Sequence, residues 1–321
     1  MKKPLIYTII LLVLSLSFSC SKEELSIENE NSLGEIIYFE SNETFKNTLN
    51  LFNSFNEISE FEDWSRQQNY NSLYSDKSIT LKEQEDLPLS FLFLLNEKRE
   101  FQIGDRIINY SEGVFYERNL NGLNQSNKIF AKVEQSPLST DNEDGVTDKI
   151  TSNRVSINAN GGEYKQGWRE YNRQKYRTRC GTPYNKSLKY RLVHYLVVRK
   201  VSGPFFTQSD LIFKLRMSQK TGSGWKYNNT TTERLYDLNL SGSWYIKYKY
   251  GGNITSVKSF SINDKNYCSS PLKGTKSFWI GNYNFVSSTP ISHYEWRVNL
   301  SGSIFHKVNG DTNQLNTTIN W

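Results

Sequence analysis

Residues 188–200 read LKYRLVHYLVVRK, with Leu188, Tyr190, Leu192, His194, Leu196 and Val198 on every second position. Successive side chains of a strand point to opposite faces, so a period of two sets one apolar row against a core and predicts a strand. The same period recurs at Leu211, Phe213, Leu215 and Met217, at Trp244, Ile246, Tyr248 and Tyr250, and at Tyr294, Trp296, Val298 and Leu300. Turn-forming groups punctuate the rows: Ser202-Gly203-Pro204, Thr221 to Gly224, Gly251-Gly252-Asn253 and Asn309-Gly310-Asp311. The second half of the chain therefore reads as a mainly antiparallel all-β sandwich or barrel of about eight or nine strands.

One pentapeptide occurs twice in that half, Asn239-Leu240-Ser241-Gly242-Ser243 and Asn299-Leu300-Ser301-Gly302-Ser303. Tyr236 and Leu238 precede the first copy as Trp296 and Val298 precede the second. A duplicated strand-bend-strand unit and chance in a Ser- and Asn-rich chain both account for it, and two copies are too few for a solenoid.

The 321 residues carry 39 Lys and Arg against 33 Asp and Glu, but this near balance hides a division. Residues 21–150 hold 12 cations and 25 carboxylates, a balance of −13, and residues 151–321 hold 25 and 8, a balance of +17. Such asymmetry marks separate units and suits docking of one on the other or on a partner. In the acidic half, Phe45, Leu49 and Phe52 recur at helical spacing from about Asn42, and Ser59 to Glu62 has capping-box spacing ahead of Phe61 and Trp64. From Leu87 to Glu117 the pattern becomes that of a small antiparallel meander, with Phe91 to Leu95 as its first strand and turns at Asn96-Glu97-Lys98, Gly104-Asp105 and Glu112-Gly113. The expected fold class is α+β overall: an N-terminal helix pair with a meander, then the all-β half. The expected divisions are a signal peptide at 1–19, a tether at 20–35, an acidic α+β region at 36–130, a linker at 131–162 and a basic all-β domain at 163–321.

Lys2 and Lys3, the apolar stretch Leu5 to Leu16, and Ser17-Phe18-Ser19-Cys20 form an export signal too short to span a bilayer as a stable helix. The stretch ending on Cys20 resembles a lipoprotein signal, in which cleavage leaves that cysteine as the acylated N-terminus. Leu16 stands four residues before Cys20 where three is usual, and Phe18 interrupts the small residues. The following Ser21-Lys22-Glu23-Glu24 resembles the surface-export signal of lipoproteins of Bacteroidetes-type Gram-negative bacteria, and the Trp-bearing helix pair followed by the Leu95-Asn96 and Gln102-Ile103-Gly104-Asp105 stretches is similar to the N-terminal region of uncharacterised members of that group. The resemblance implies a protein lipid-anchored at the outer membrane and displayed on the cell surface, and it implies no activity. Acyl chains contribute about 0.8 kcal/mol per buried methylene, enough in combination to hold a chain at a membrane without a spanning helix.

Cys180 and Cys268 remain, an even number in an oxidising compartment, readable as one disulfide or as two buried thiols. No nucleotide-binding, zinc-protease or nucleophile-elbow motif occurs, so no cofactor and no metal are expected. Asp141, Glu143, Asp144 and Asp148 surround Gly145, but Thr140 and Thr151 fall where a calcium loop needs carboxylates, which leaves a solvated acidic linker. The three histidines default to structural roles. Glu163, Glu170, Asp210, Glu233, Asp237, Asp264, Glu295 and Asp311 are the carboxylates from which a hydrolase pair would be drawn, and their spacing selects none. The reading leans against an enzyme.

The one stretch with chemical direction is Lys165 to Arg191. Arg169, Arg173, Lys175, Arg177 and Arg179 alternate there with Trp168, Tyr171 and Tyr176, a strip suited to sulfate, phosphate or carboxylate groups on a ligand whose rings stack on the aromatics. An exported location disfavours nucleic acid. Anionic glycans, lipopolysaccharide phosphates or an acidic protein surface are the expected partners, and packing against the acidic half is the structural reading of the same strip. The function expected is a non-catalytic binding or adhesion module for such a ligand, with an accessory subunit of an outer-membrane assembly and an unrecognised hydrolase as alternatives.

Overall fold

The computed structural model describes residues 36–76, 79, 87–120, 128–135, 155–158, 162–172, 189–222, 224–227, 233–267, 274–285 and 291–321. In chain order the elements are β1 (Tyr38–Phe39), α1 (Asn42–Phe52), α2 (Ile58–Gln67), a 3-10 turn (Leu73–Ser75), α3 (Leu89–Leu94), β2 (Glu100–Ile103), β3 (Arg106–Ser111), β4 (Val114–Asn119), β5 (Lys128–Gln135), β6 (Val155–Asn158), β7 (Gly162–Asn172), β8 (Lys189–Ser202), β9 (Thr207–Thr221), β10 (Gly224–Tyr227), β11 (Arg234–Tyr248), β12 (Lys258–Asn266), β13 (Lys276–Phe285), a second 3-10 turn (Ile291–His293), β14 (Tyr294–Val308) and β15 (Gln314–Asn320). The chain is mostly β, and among the described residues no helix is long and apolar enough to cross a membrane.

β8 and β9 pair antiparallel from Tyr190 opposite Gln219 to Ser202 opposite Thr207. On the far side of β8, β7 covers its first part and β5 its last, with Lys132 opposite Ser202. On the far side of β9, β13 runs beside Thr207 to Leu215 and β10 beside Ser218 to Thr221. β5 leads on through β4, β3 and β2 to β1, so the meander and the basic half share one ten-stranded sheet. The second sheet has the order β12-β11-β14-β15, with β6 also on β14. Both sheets stay open, and no closed barrel forms among the described residues. The stretch expected as linker begins inside β5 and contains β6. The leader with Cys20, and Cys180 and Cys268, lie outside the described residues.

The period-two rows make the core between the sheets. Tyr190, Leu192, Leu196 and Val198 of β8 and Leu211, Phe213, Leu215 and Met217 of β9 are buried against Trp244, Ile246, Trp296, Val298 and Leu300 of the second sheet. Tyr250 ends its row differently: it lies past β11 and is exposed.

A second core sits under the helices. Ser41 caps α1 by accepting the Thr44 N–H at 3.2 Å, and Phe45, Leu49 and Phe52 pack with Phe61 and Trp64 of α2, Phe91 and Phe93 of α3, Phe101 and Phe115 of the meander, and Val201 and Phe206 from the β8–β9 hairpin. The cap of α2 falls two residues earlier than the sequence spacing suggests: Glu57 is the N-cap, and the Glu60 carboxylate accepts its N–H at 2.9 Å. The stretch Phe91 to Leu95, expected as a strand, is instead mostly the helix α3, opening after Pro88 with Leu92 N–H donating to the Pro88 carbonyl at 3.1 Å. Every residue from Leu89 to Leu95 is buried, so the run has no exposed positions whose period could separate helix from strand.

The helical layer is held to the first sheet by polar side chains. The Leu89 N–H donates to Asp210 Oδ2 at 3.2 Å and Ser90 Oγ to Gln208 Oε1 at 2.7 Å. Asn53, the C-cap of α1, accepts the Asn284 N–H at 2.6 Å and donates to the Asn284 carbonyl at 3.3 Å, while Asn284 Nδ2 donates to Asn50 at 3.0 Å. Arg199, Asp210 and Asn282 form one cross-strand row beneath the helices, with Arg199 and Asp210 at 3.7 Å. Buried hydrogen bonds cost most when one partner is removed, so this set fixes where the helices sit as well as holding them.

The repeated pentapeptide proves to be a strand pair. β11 and β14 run antiparallel with Ser241 opposite Ser301, Leu240 opposite Gly302 and Gly242 opposite Leu300, so the two copies face each other about a local twofold through the serines. The glycines serve a close approach: a Cβ on Gly242 would lie 2.0 Å from the Asn299 carbonyl oxygen, and one on Gly302 would lie 2.0 Å from that of Asn239. Gly302 also has φ +139, where side chains are strained. Gly302→Ala is expected to destabilise by about 3 kcal/mol or more in urea unfolding and Gly242→Ala in the same direction, because backbone must shift in both. The exposed control Ser301→Ala should stay within about 0.5 kcal/mol.

Candidate functional site

Among the described residues, β12 and β13 each pair with a neighbour on one side only, and they lie on the same side of the molecule, one in each sheet. Between these free edges, roofed by the helical layer, opens a cleft of about 710 Å³. Its apolar wall is Ile58 of α2, Tyr74, Leu92 of α3, and Phe278 and Trp279 of β13. Its polar wall is Asn263, Asp264 and Asn266 of β12 with Thr275, Lys276 and Ser277. Alternation along β13 puts Phe278 on the core side and Trp279 on the helix side, so an edge strand contributes to the cleft with both faces.

Asp264 accepts the Tyr236 hydroxyl at 3.0 Å and lies 3.5 Å from Lys276 Nζ, which itself stands over the Phe278 ring at 5.5 Å. Burial and the neighbouring Asp264 carboxylate push the Tyr236 phenol up, so it stays a donor. Tyr74 is raised by burial and by Glu62, and its ring stacks on Phe93 at 4.4 Å. Trp279 meets Phe61 edge-on at 5.5 Å. Three lining residues keep hydrogen-bonding capacity with no partner among the described residues: Asn266 Oδ1, Ser277 Oγ and Trp279 Nε1. A concave site of this size, with aromatic surface on one side and a few converging polar groups on the other, is the usual form of a small-ligand site.

The predicted basic strip is only partly described. Arg173, Lys175, Tyr176, Arg177 and Arg179 lie outside the described residues, as does the side chain of Trp168. Arg169 is exposed on β7. Next to it, Glu170 ion-pairs with Lys189 and, at 3.4 Å, with Arg191. Burial pushes the Glu170 carboxyl up, but the two cations outweigh it and hold it below the usual range. Arg191 lies over Trp225 at 3.9 Å and Arg216 over Tyr195 at 4.8 Å, so cation and ring alternate across the outer face of β8, β9 and β10 as well. None of the described ones lines the cleft. Apart from Asp264, named only as one of eight dispersed carboxylates, the cleft residues give no signal in the sequence, because they come from five separate segments and carry no local motif.

The carboxylates are dispersed. Asp311 accepts the Tyr190 hydroxyl at 2.9 Å, Asp237 that of Tyr267 at 2.9 Å, Glu233 accepts from Asn309 at 3.1 Å and Glu295 from Arg297 at 2.7 Å. Of the described cleft lining, Asp264 is the one carboxylate. The described residues contain no cluster of His, Cys, Asp and Glu suited to a metal ion. In comparisons with known proteins, no family model matches this chain, and neither a characterised protein nor a solved structure does.

Two histidines are core residues. His194 stacks on Trp321 with ring centroids 5.5 Å apart, in space left by Gly167, and burial lowers it to about 4 from an ordinary 6.5. His306, beside Arg234 at 3.2 Å, is lowered by burial and by that guanidinium. A folded value below the unfolded one means that the contribution of His194 is full above about pH 6.5 and lost as pH falls through 4, on the order of 3 kcal/mol. Asp210 works oppositely: burial raises it to about 6 against Arg199 and the Leu89 N–H, so its contribution is present below about 3.8 and lost as pH rises through 6. With two histidines against one carboxyl, the urea midpoint should fall between pH 7 and pH 4. His194→Phe should flatten that fall and Asp210→Asn should steepen it.

Proposed function

We propose that this protein is a non-catalytic binding or adhesion module of the cell envelope, anchored through an acylated Cys20 at the outer membrane and displayed on its surface. Its ligand is an anionic glycan or a comparable surface ligand. The observation that carries the binding reading is the cleft between β12 and β13: aromatic rings on one wall suit the C–H faces of sugar rings, and amides, hydroxyls and the Lys276 ammonium on the other suit hydroxyls and an anionic group. The same lining argues for binding over hydrolysis. A glycosidase needs two carboxyl groups flanking the bond, and Asp264, alone in the described lining, is already engaged by Tyr236 and Lys276. The basic strip supports an anionic ligand by composition.

The test is a glycan and lipopolysaccharide binding screen on the full chain at low and physiological salt. Selective, salt-sensitive binding is expected. Lys276→Gln, which removes one charge-assisted hydrogen bond, should weaken it about tenfold or more, and reversal of Arg173, Arg177 and Arg179 should weaken it further. Absence of binding to any anionic glycan or lipopolysaccharide by a folded protein, or binding of such a ligand that is indifferent to both changes, would contradict the proposal.

A further inference from the structure

We infer that the outward face of the second sheet is a separate binding platform for a neutral polysaccharide. Along β11 and β14 the even-numbered side chains enter the core and the odd-numbered ones face outward. One outward cross-strand row runs from Ser261 through Ser241 and Ser301 to Asn320, and the next from Asn263 through Asn239 and Ser303 to Thr318. All eight residues are exposed and none is charged. Asn is depleted from strands, so strand formation alone does not select this composition.

The third row turns the flat face into a site. Asp237, Phe305 and Asn316 stand side by side on β11, β14 and β15, and a groove of about 910 Å³ opens there, bounded by Asn239, Ser303 and Tyr267. Tyr267 holds Asp237 in place through its hydroxyl at 2.9 Å. A sugar ring has apolar C–H faces and a rim of hydroxyls. Laid on Phe305, it would meet a carboxylate on one side and an amide on the other, each about 5 Å away across the strands. A planar carboxylate and a planar amide accept from and donate to neighbouring hydroxyls, and the Ser and Asn rows continue the same chemistry along a chain. The three rows cover about 14 Å in each direction, enough for a short run of sugar residues. Neutrality follows from the first two rows, which hold no charged side chain; in the third, Asp237 stands opposite Lys265 on β12, and Lys307 lines the groove beyond Phe305.

The platform lies on the opposite face of the second sheet from the core; Ser261 and Asn263 on its β12 edge also border the cleft, so the test uses Asn239 of β11 and Phe305 of β14, which do not. Affinity electrophoresis of the full chain would be run in gels containing soluble glucan, mannan, xylan or, as the acidic comparison, alginate. At least one neutral polysaccharide should retard the protein, equally at low and high salt. Phe305→Ala, and Asn239→Arg, which fills the groove from an exposed position, should each weaken that binding about tenfold or more, and Lys276→Gln should leave it unchanged. Far-UV dichroism and the urea midpoint establish that each variant is folded, and Asn239→Arg carries the test if Phe305→Ala does not fold. No retardation by any neutral polysaccharide, retardation that survives both groove variants, or retardation lost with salt or with Lys276→Gln would overturn the inference.

Discussion

The pairing of β8 with β9 is the constraint on which the rest of the structure depends. It runs unbroken from Tyr190 opposite Gln219 to Ser202 opposite Thr207, and it is used on both faces. Toward the second sheet it presents Leu192, Leu196, Leu211, Phe213 and Leu215, and toward the helices it presents Arg199, Asp210 and Gln208. Alternation forces this division, since a strand that feeds an apolar core with one set of residues must turn the other set the opposite way. Both edges of the pair are also taken, by β7 and β5 end to end on one side and by β13 and β10 on the other. The acidic meander thus joins the basic strands through backbone hydrogen bonds, and Val201 and Phe206, at the hairpin end, enter the helix-covered core.

The cleft is a consequence of that arrangement. Among the described residues, β13 is bound to β9 on one side only and β12 to β11 on one side only, so the sandwich has a seam that no described strand crosses. The helices reach this seam because Asn53 and Asn50 lock α1 to Asn284, while the Asp210 and Gln208 contacts lock α3. Lys258 of β12 donates to the Asn53 carbonyl at 2.5 Å, tying the second sheet to the same cap. A few amide and carboxylate contacts therefore decide the width of the opening, while apolar burial in the two cores drives folding.

Much of the core was legible because it rests on local periodicity. The rows at 190–198, 211–217 and 294–300, and the helical spacing of Phe45, Leu49 and Phe52, needed only the alternation of apolar and polar residues. What failed was information of other kinds. Leu89 to Leu95 is buried on all sides, so its composition fits strand and helix equally, and Pro88 alone hints at a helix start. The pentapeptide repeat was visible as a repeat, but its meaning lies in pairing across 60 positions, which only the register of β11 and β14 reveals. The union of the acidic and basic segments in one sheet, and a cleft assembled from Ile58, Tyr74, Leu92, Asp264, Lys276 and Trp279, are likewise non-local. Charge pattern drew attention to the strip around Arg173, whereas the cleft is nearly balanced in charge and so left no mark on composition.

Native-state hydrogen exchange on the full chain tests most directly the claim that one strand pair organises both cores. If β8 and β9 support the helical layer as well as the sandwich, the slowest amides of α1, at Leu49 and Phe52, should open with the same free energy and urea dependence as those of Leu192 to Leu196 and Leu211 to Leu215. A cheaper opening that exposes α1, α2 and β2 to β4 while the β8–β9 amides stay protected would contradict it, and would make the acidic region an independent unit resting on the sandwich.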